Sequence, residues 1–156
     1  MQTITPFLWF DGNAEEAVAF YVATFPDSRV TQVTRCGPGG PGPEGSVLTI
    51  SFTLRGQEFV ALNGGPAFTF SEAVSFLVRC DSQEEIDRYW DRLVEGGSPM
   101  ACGWLKDRYG LAWQIVPGVF FDMIGCGDPE RAARVMAAMN TMVKFDVAGL
   151  EEAFAE

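Results

Sequence analysis

The residues able to do chemistry in this chain are few, and none of them is a histidine. Without an imidazole the chain cannot build a Ser-His-Asp triad, a Cys-His dyad, a histidine-bearing zinc site or a facial-triad iron centre. Carboxylates, thiols, tyrosine, arginine and the backbone remain. Cys102 is a candidate nucleophile, but its thiolate needs a nearby cation, for which Lys106 and Arg108 are closest in sequence; a small buried filler is its simpler role. Glu72 is a candidate general base if Phe70 and Phe76 desolvate it and raise its pKa, with a strand-end hydrogen bond as the alternative. Asp107 opens the turn Asp107-Arg108-Tyr109-Gly110, where an aspartate fixes backbone geometry. Glu15-Glu16 and Glu84-Glu85 fall in first helical turns and complement the helix dipole. The glycine-rich stretch from Gly37 to Gly45 lacks the spacing of a phosphate loop, and no helix opens directly after it.

Charge narrows the partners. With 21 acidic against 11 basic residues the formal charge is −10, which repels a phosphate backbone and an anionic membrane surface. Neither nucleic acid nor membrane is expected as a partner. The four cysteines, Cys36, Cys80, Cys102 and Cys126, contain no CxxC pair and read as isolated thiols. A length of 156 residues fits one domain, residues 1–156. No apolar run approaches the roughly 20 residues that span a bilayer, and the start Met1-Gln2-Thr3 does not read as a leader, so a cytoplasmic location is expected.

The elements that must position these groups are legible from pattern. Ile4 to Phe10 reads as a strand, followed by a helix from Ala14 to Phe25 with Asn13 as its cap. Ser28 to Cys36, Ser46 to Leu54 and Gln57 to Leu62 read as strands, the last two joined as a hairpin at Arg55-Gly56. Setting Phe7 on Phe76, an offset of 69, aligns the double glutamates and places Phe20-Tyr21 on Tyr89-Trp90. That is an internal repeat. In the second copy Ser82 and Glu85 form a capping box, the helix runs from Gln83 to Glu95, and three strands are predicted at Met100 to Trp104, Lys106 to Tyr109 and Leu111 to Val116. Asp128-Pro129 predicts another helix start, and Asp146 could cap a last helix to Ala155. Ala132, Val135, Met136, Met139 and Met142 form an apolar stripe expected to dock on a sheet or on a second subunit.

The order strand-helix-strand-strand-strand, written twice, resembles the vicinal oxygen chelate superfamily, which includes glyoxalase I, extradiol dioxygenases and antibiotic-resistance proteins. Several motifs resemble its PhnB-like branch, often labelled 3-demethylubiquinone-9 3-methyltransferase: Ile4-Thr5-Pro6-Phe7-Leu8-Trp9-Phe10, Asn13-Ala14-Glu15-Glu16-Ala17, Phe25-Pro26-Asp27-Ser28, Ala61-Leu62-Asn63-Gly64-Gly65 and Cys102-Gly103-Trp104-Leu105-Lys106-Asp107-Arg108-Tyr109-Gly110. The resemblance implies an α+β fold in which two tandem βαβββ modules form a U-shaped mixed sheet. The modules would cover about 3–66 and 70–117, with a helical extension over about 118–156. It also implies a homodimer.

Metal-bearing relatives place ligands on the first and last strand of each module. Those positions map here to Pro6, near Ala61, Ser75 and Gln114, and three of these types are not ligands for a transition metal. The expectation is therefore a cleft without a metal or other cofactor. Pro6, Leu8, Ser75, Leu77, Ala112 and Gln114 would share its inner face by the period of two. Trp9, Asn63, Ser75, Trp104 and Gln114 would contact a bound small molecule, with Glu72 and Cys102 as the catalytic candidates. No GxGxxG follows a strand in a parallel βαβ unit, so a Rossmann-like methyl-donor site has no motif. A metal-free small-molecule-binding protein is the reading this supports. An isomerase, lyase or transferase, and an interaction module using the C-terminal helices, are the alternatives.

Overall fold

The structure, a computed structural model, describes residues 2–156; the reading of the chain start that involves Met1 lies outside them. Two compact units follow one another, divided between Phe70 and Ser71.

The first unit has the order β1 (Phe7–Phe10), α1 (Ala14–Thr24), β2 (Arg29–Arg35), β3 (Val47–Leu54) and β4 (Gln57–Asn63). Its sheet runs β1-β4-β3-β2, with β1 and β4 parallel and the other pairs antiparallel. Alternation splits each strand between two faces. Leu8, Phe10, Ile50, Phe52, Leu54, Phe59 and Ala61 are buried, as are Ala14, Ala17, Val18, Phe20 and Tyr21 on α1. One apolar face of the sheet thus packs on one stripe of the helix. Asn13 precedes α1, but its side chain makes no capping bond. Asn63, from the end of β4, supplies the cap: its Oδ1 accepts from Ala14 N at 2.9 Å.

The second unit repeats the pattern with β5 (Ser75–Cys80), α2 (Gln83–Val94), β6 (Ser98–Pro99), β7 (Trp104–Lys106) and β8 (Ala112–Pro117), and adds α3 (Gly118–Ile124), α4 (Pro129–Met139) and α5 (Val147–Ala155). Its sheet order is β5-β8-β7-β6. The capping box is present, with Ser82 Oγ accepting from Glu85 N at 3.1 Å and Glu85 Oε2 accepting from Asp81 N at 2.7 Å. The strand expected over Met100–Trp104 is instead two short pieces. Between them Cys102 N and Gly103 N donate to the carbonyls of Met142 and Val143, so this backbone pairs with the C-terminal segment rather than with a strand. The segment from Lys106 to Tyr109 is not one strand either. It turns at Asp107, whose buried carboxylate accepts from Tyr109 N (2.8 Å), Leu111 N (3.1 Å) and Trp113 Nε1 (2.9 Å).

The repeat carries a one-residue shift that the sequence alignment misses. The helices start at Ala14 and Gln83, but β1 ends at Phe10 and β5 at Cys80, leaving three linking residues in the first unit and two in the second. Buried Leu8 and Phe10 therefore correspond to buried Val78 and Cys80, whereas Leu77 is 47% exposed. Because side chains alternate, one residue of slippage reverses the face. Leu8 and Leu77 do not share an equivalent face, and Ser75 is not the counterpart of Pro6.

The helical extension belongs to the second unit. Asp128 Oδ1 caps α4, accepting from Glu130 N and Arg131 N at 3.0 and 3.2 Å. Asp146 makes no side-chain cap for α5; Gln83 Oε1 accepts from Val147 N at 2.8 Å instead. The expected stripe divides: Val135 is fully buried within the unit, together with Phe145 and Leu150, while Met136 is 40% exposed. Met142 lies beyond the end of α4. Among the described residues no helix is long and apolar enough to cross a membrane.

Candidate functional site

Four of the seven residues singled out in the sequence come together in the second unit. On β8, Gln114 lies between Leu77 of β5 and Trp104 of β7, and in the next row Ala112 lies between Ser75 and Lys106. Residues paired across strands point to the same face, so Ser75, Leu77, Trp104, Lys106 and Gln114 share one. Val78, Cys80, Leu105, Trp113 and Ile115 are buried on the other, together with Ile86, Tyr89, Trp90 and Leu93 of α2. The shared face is thus the one turned away from α2, and these five side chains are half-buried or exposed.

Its polar groups are partly committed. Gln114 Nε2 donates to Ser75 Oγ at 2.9 Å. Neither the Gln114 side-chain carbonyl nor the Trp104 indole N–H has an intrachain hydrogen-bond partner among the described residues. Glu72 forms an ion pair with Lys106. Its pKa is lowered, first by the hydrogen bond from Lys106, then by a backbone hydrogen bond and by the Lys106 charge. Burial contributes little. The expectation of a raised pKa is overturned, because the lysine rather than an apolar wall sets the carboxyl's surroundings; Glu72 is ionised at neutral pH and is a weak base.

Cys102 is held elsewhere. It has a left-handed backbone, φ 58°, and its thiol donates to the Met139 carbonyl at 3.6 Å, so it is secured by the end of α4.

Trp9 and Asn63 belong to the first unit, where both line a concavity of about 510 Å³ beneath the loop from Gly37 to Gly45. Their polar atoms are already used. Trp9 Nε1 donates to Gly65 O at 2.8 Å, its ring meets Phe68 edge-on at 4.8 Å, and a Cβ on Gly64 would fall 2.3 Å from the indole. Asn63 accepts from Ala14 N and donates to Glu15 Oε1 (2.7 Å) and Val47 O (3.0 Å). It joins the start of α1 to two strands. Asn63→Ala is expected to lower unfolding free energy by about 1–2 kcal/mol, as loss of a cap and two further bonds implies. Urea unfolding followed by circular dichroism measures this, and a change within error would deny Asn63 its structural role.

Sequence reasoning missed Lys106 as a site member, having weighed it only as a partner for Cys102. Its place two residues from Trp104 on a strand was the available signal, because the period of two sets them on one face.

Comparison with known proteins places the chain. The sequence model of the family described as 3-demethylubiquinone-9 3-methyltransferase matches residues 2–116. The chain belongs to this family and is PhnB-like. A putative 3-demethylubiquinone-9 3-methyltransferase, PhnB protein, from Bacillus cereus is 39% identical, with 75% of this chain and 100% of that chain covered at a TM-score of 0.69. A protein from Pseudomonas aeruginosa is 22% identical over 75% of this chain and 98% of its own, TM-score 0.62. The fosfomycin resistance protein FosX from Listeria monocytogenes, complexed with Mn(II) and sulfate, is 15% identical over 76% of this chain and 94% of its own, TM-score 0.56. The last two establish the fold, which is α+β with two four-stranded mixed sheets and C-terminal helices. No curated protein matches.

The fold family implies a metal in some members, and the residues of this PhnB-like chain do not fit one. Among the described residues no three His, Cys, Asp or Glu side chains are grouped so as to hold an ion. Of the mapped positions, Ser75 and Gln114 share the face turned away from α2, and they bring a hydroxyl and a neutral amide already bonded to each other. A transition metal needs imidazole, thiolate or carboxylate ligands.

Proposed function

We propose that this PhnB-like protein binds a small organic molecule, without a metal, on the face of the second sheet turned away from α2. The observation that carries the reading is the pair of uncommitted polar groups there, the Trp104 indole N–H and the Gln114 carbonyl, set beside Leu77 and the Ser75 hydroxyl. One donor and one acceptor beside the apolar surfaces of Leu77 and the Trp104 ring suit orientation of a ligand more than bond-making. Catalysis is less well supported, because Glu72 is neutralised by Lys106 and Cys102 is tied to the Met139 carbonyl. Methyl transfer has no support in the topology: each sheet contains a single parallel pair, and neither unit is a doubly wound βαβ layer.

Native mass spectrometry of the protein, exposed to the small-molecule fraction of a cell extract, tests the reading. A defined adduct is expected on the native chain and absent from a folded Gln114→Leu variant. Retention of the adduct by the variant overturns the site. Stoichiometric uptake of manganese, nickel, zinc or iron that depends on Gln114 overturns the metal-free reading.

A further inference from the structure

We propose that the concavity of the first unit is a further ligand site, and that its ligand is a compact organic ammonium ion with an apolar body. The hollow measures about 510 Å³, within the range of roughly 300–1,000 Å³ typical of small-molecule pockets. Trp9, Pro43, Val47 and Leu62 give it apolar walls. The loop forming one side is closed at its foot: Cys36 N donates to Ser46 O and Gly45 N to Cys36 O, both at 2.8 Å.

The class of ligand follows from which polar side chains are still available. Asn63 uses both amide hydrogens and its oxygen, Trp9 uses its indole N–H, and Ser46 Oγ donates to Pro43 O. The remaining side-chain donor is the weakly donating thiol of Cys36. Two carboxylates, Asp11 and Glu15, also line the hollow, and only one oxygen of Glu15 is engaged, by Asn63. No lysine or arginine is among the described residues that line it; Arg35, at the foot of the loop, donates to the Gly45 carbonyl. The wall therefore accepts hydrogen bonds and carries negative charge. The positive end of α1 nearby is offset by Asn63 on Ala14 N and by Glu15 and Glu16 in the first turn. An anion would meet two carboxylates and no free side-chain cation, whereas an ammonium would find uncommitted acceptors above an apolar floor.

Titration of the ¹⁵N-labelled full chain with 2-phenylethylamine, with neutral 2-phenylethanol and with 3-phenylpropionate tests this. The amine is expected to shift the Gly42, Gly64 and Gly65 amides and to bind about two- to fivefold tighter than the alcohol, the scale of one partly exposed ion pair. The carboxylate is expected not to bind. In an Asp11→Asn, Glu15→Gln variant the preference of amine over alcohol should vanish. That ratio does not depend on any shared loss of stability. Equal binding of alcohol and amine, binding of the carboxylate, absence of shifts at these glycines up to tens of millimolar, or a preference that survives in the variant would overturn the proposal. None of these outcomes bears on the second-sheet site.

Discussion

Asp107→Ala is expected to lower the unfolding free energy by about 3–4 kcal/mol, a large part of the roughly 5–15 kcal/mol that a domain possesses. Asp107 is 2% exposed and accepts hydrogen bonds from Tyr109 N and Leu111 N of its own turn and from the Trp113 indole. Removing the carboxylate takes the acceptor from these N–H groups, and its loss to the buried indole N–H is the costly half of a broken hydrogen bond. The turn would also lose the bonds that order the chain between Lys106 and Ala112, which lie in one row with Ser75. Asp107→Asn separates the contributions. Its oxygen can still accept from Tyr109 N and Leu111 N, but its NH₂ would then face the Trp113 N–H, donor against donor, so a cost of about 2 kcal/mol is expected. Urea unfolding of both variants, followed by tryptophan fluorescence, measures the difference. Losses below about 1 kcal/mol for the alanine variant would mean that the turn holds its geometry without the side chain.

What the sequence made legible were the elements whose causes are local. Ser82 with Glu85 and Asp128 with Pro129 lie within one turn of the donors they cap, and both caps form as read. Asn13 and Asp146 look like caps by the same rule, yet the α1 and α5 donors are taken by Asn63 and Gln83, which are distant in sequence. Nothing near those helices announces this. The face assignment failed for a related reason. The helices repeat at 69 residues, and the linker into α2 is one residue shorter than the linker into α1, which reverses the strand face at Ser75 relative to Pro6. Ser75, Trp104 and Gln114 nevertheless share a face, because that depends only on pairing within the second sheet. Glu72 was misread because its partner, Lys106, arrives from a strand more than thirty residues on.

The C-terminal extension supplies the other large effect, and Gly103→Ala is expected to detach it at a cost of about 3 kcal/mol or more. Gly103 has φ 80°, where a Cβ alone costs roughly 1–2 kcal/mol. That Cβ would also lie 2.5 Å from the Phe145 ring and 2.8 Å from the Ile115 carbonyl oxygen. The ring cannot retreat freely. Its residue is 2% exposed, Gln83 Nε2 donates to its carbonyl at 3.0 Å, and the neighbouring Lys144 pairs with Asp87 at 2.8 Å. The clash therefore acts on the whole segment held between α2 and the strand pair β7–β8. Phe145→Ala, expected to cost about 3–4 kcal/mol by itself, removes the obstructing ring. If contact with that ring is the main cause, adding Gly103→Ala to Phe145→Ala should cost less than Gly103→Ala alone, leaving the backbone strain and the approach to the Ile115 carbonyl oxygen, so that the two substitutions are less than additive. Limited proteolysis locates the effect: cleavage of Gly103→Ala should fall first between Thr141 and Val147, before the sheet is attacked. Additive energies, or first cleavage within the sheet, would show that the glycine is required by the strands and not by the extension they carry.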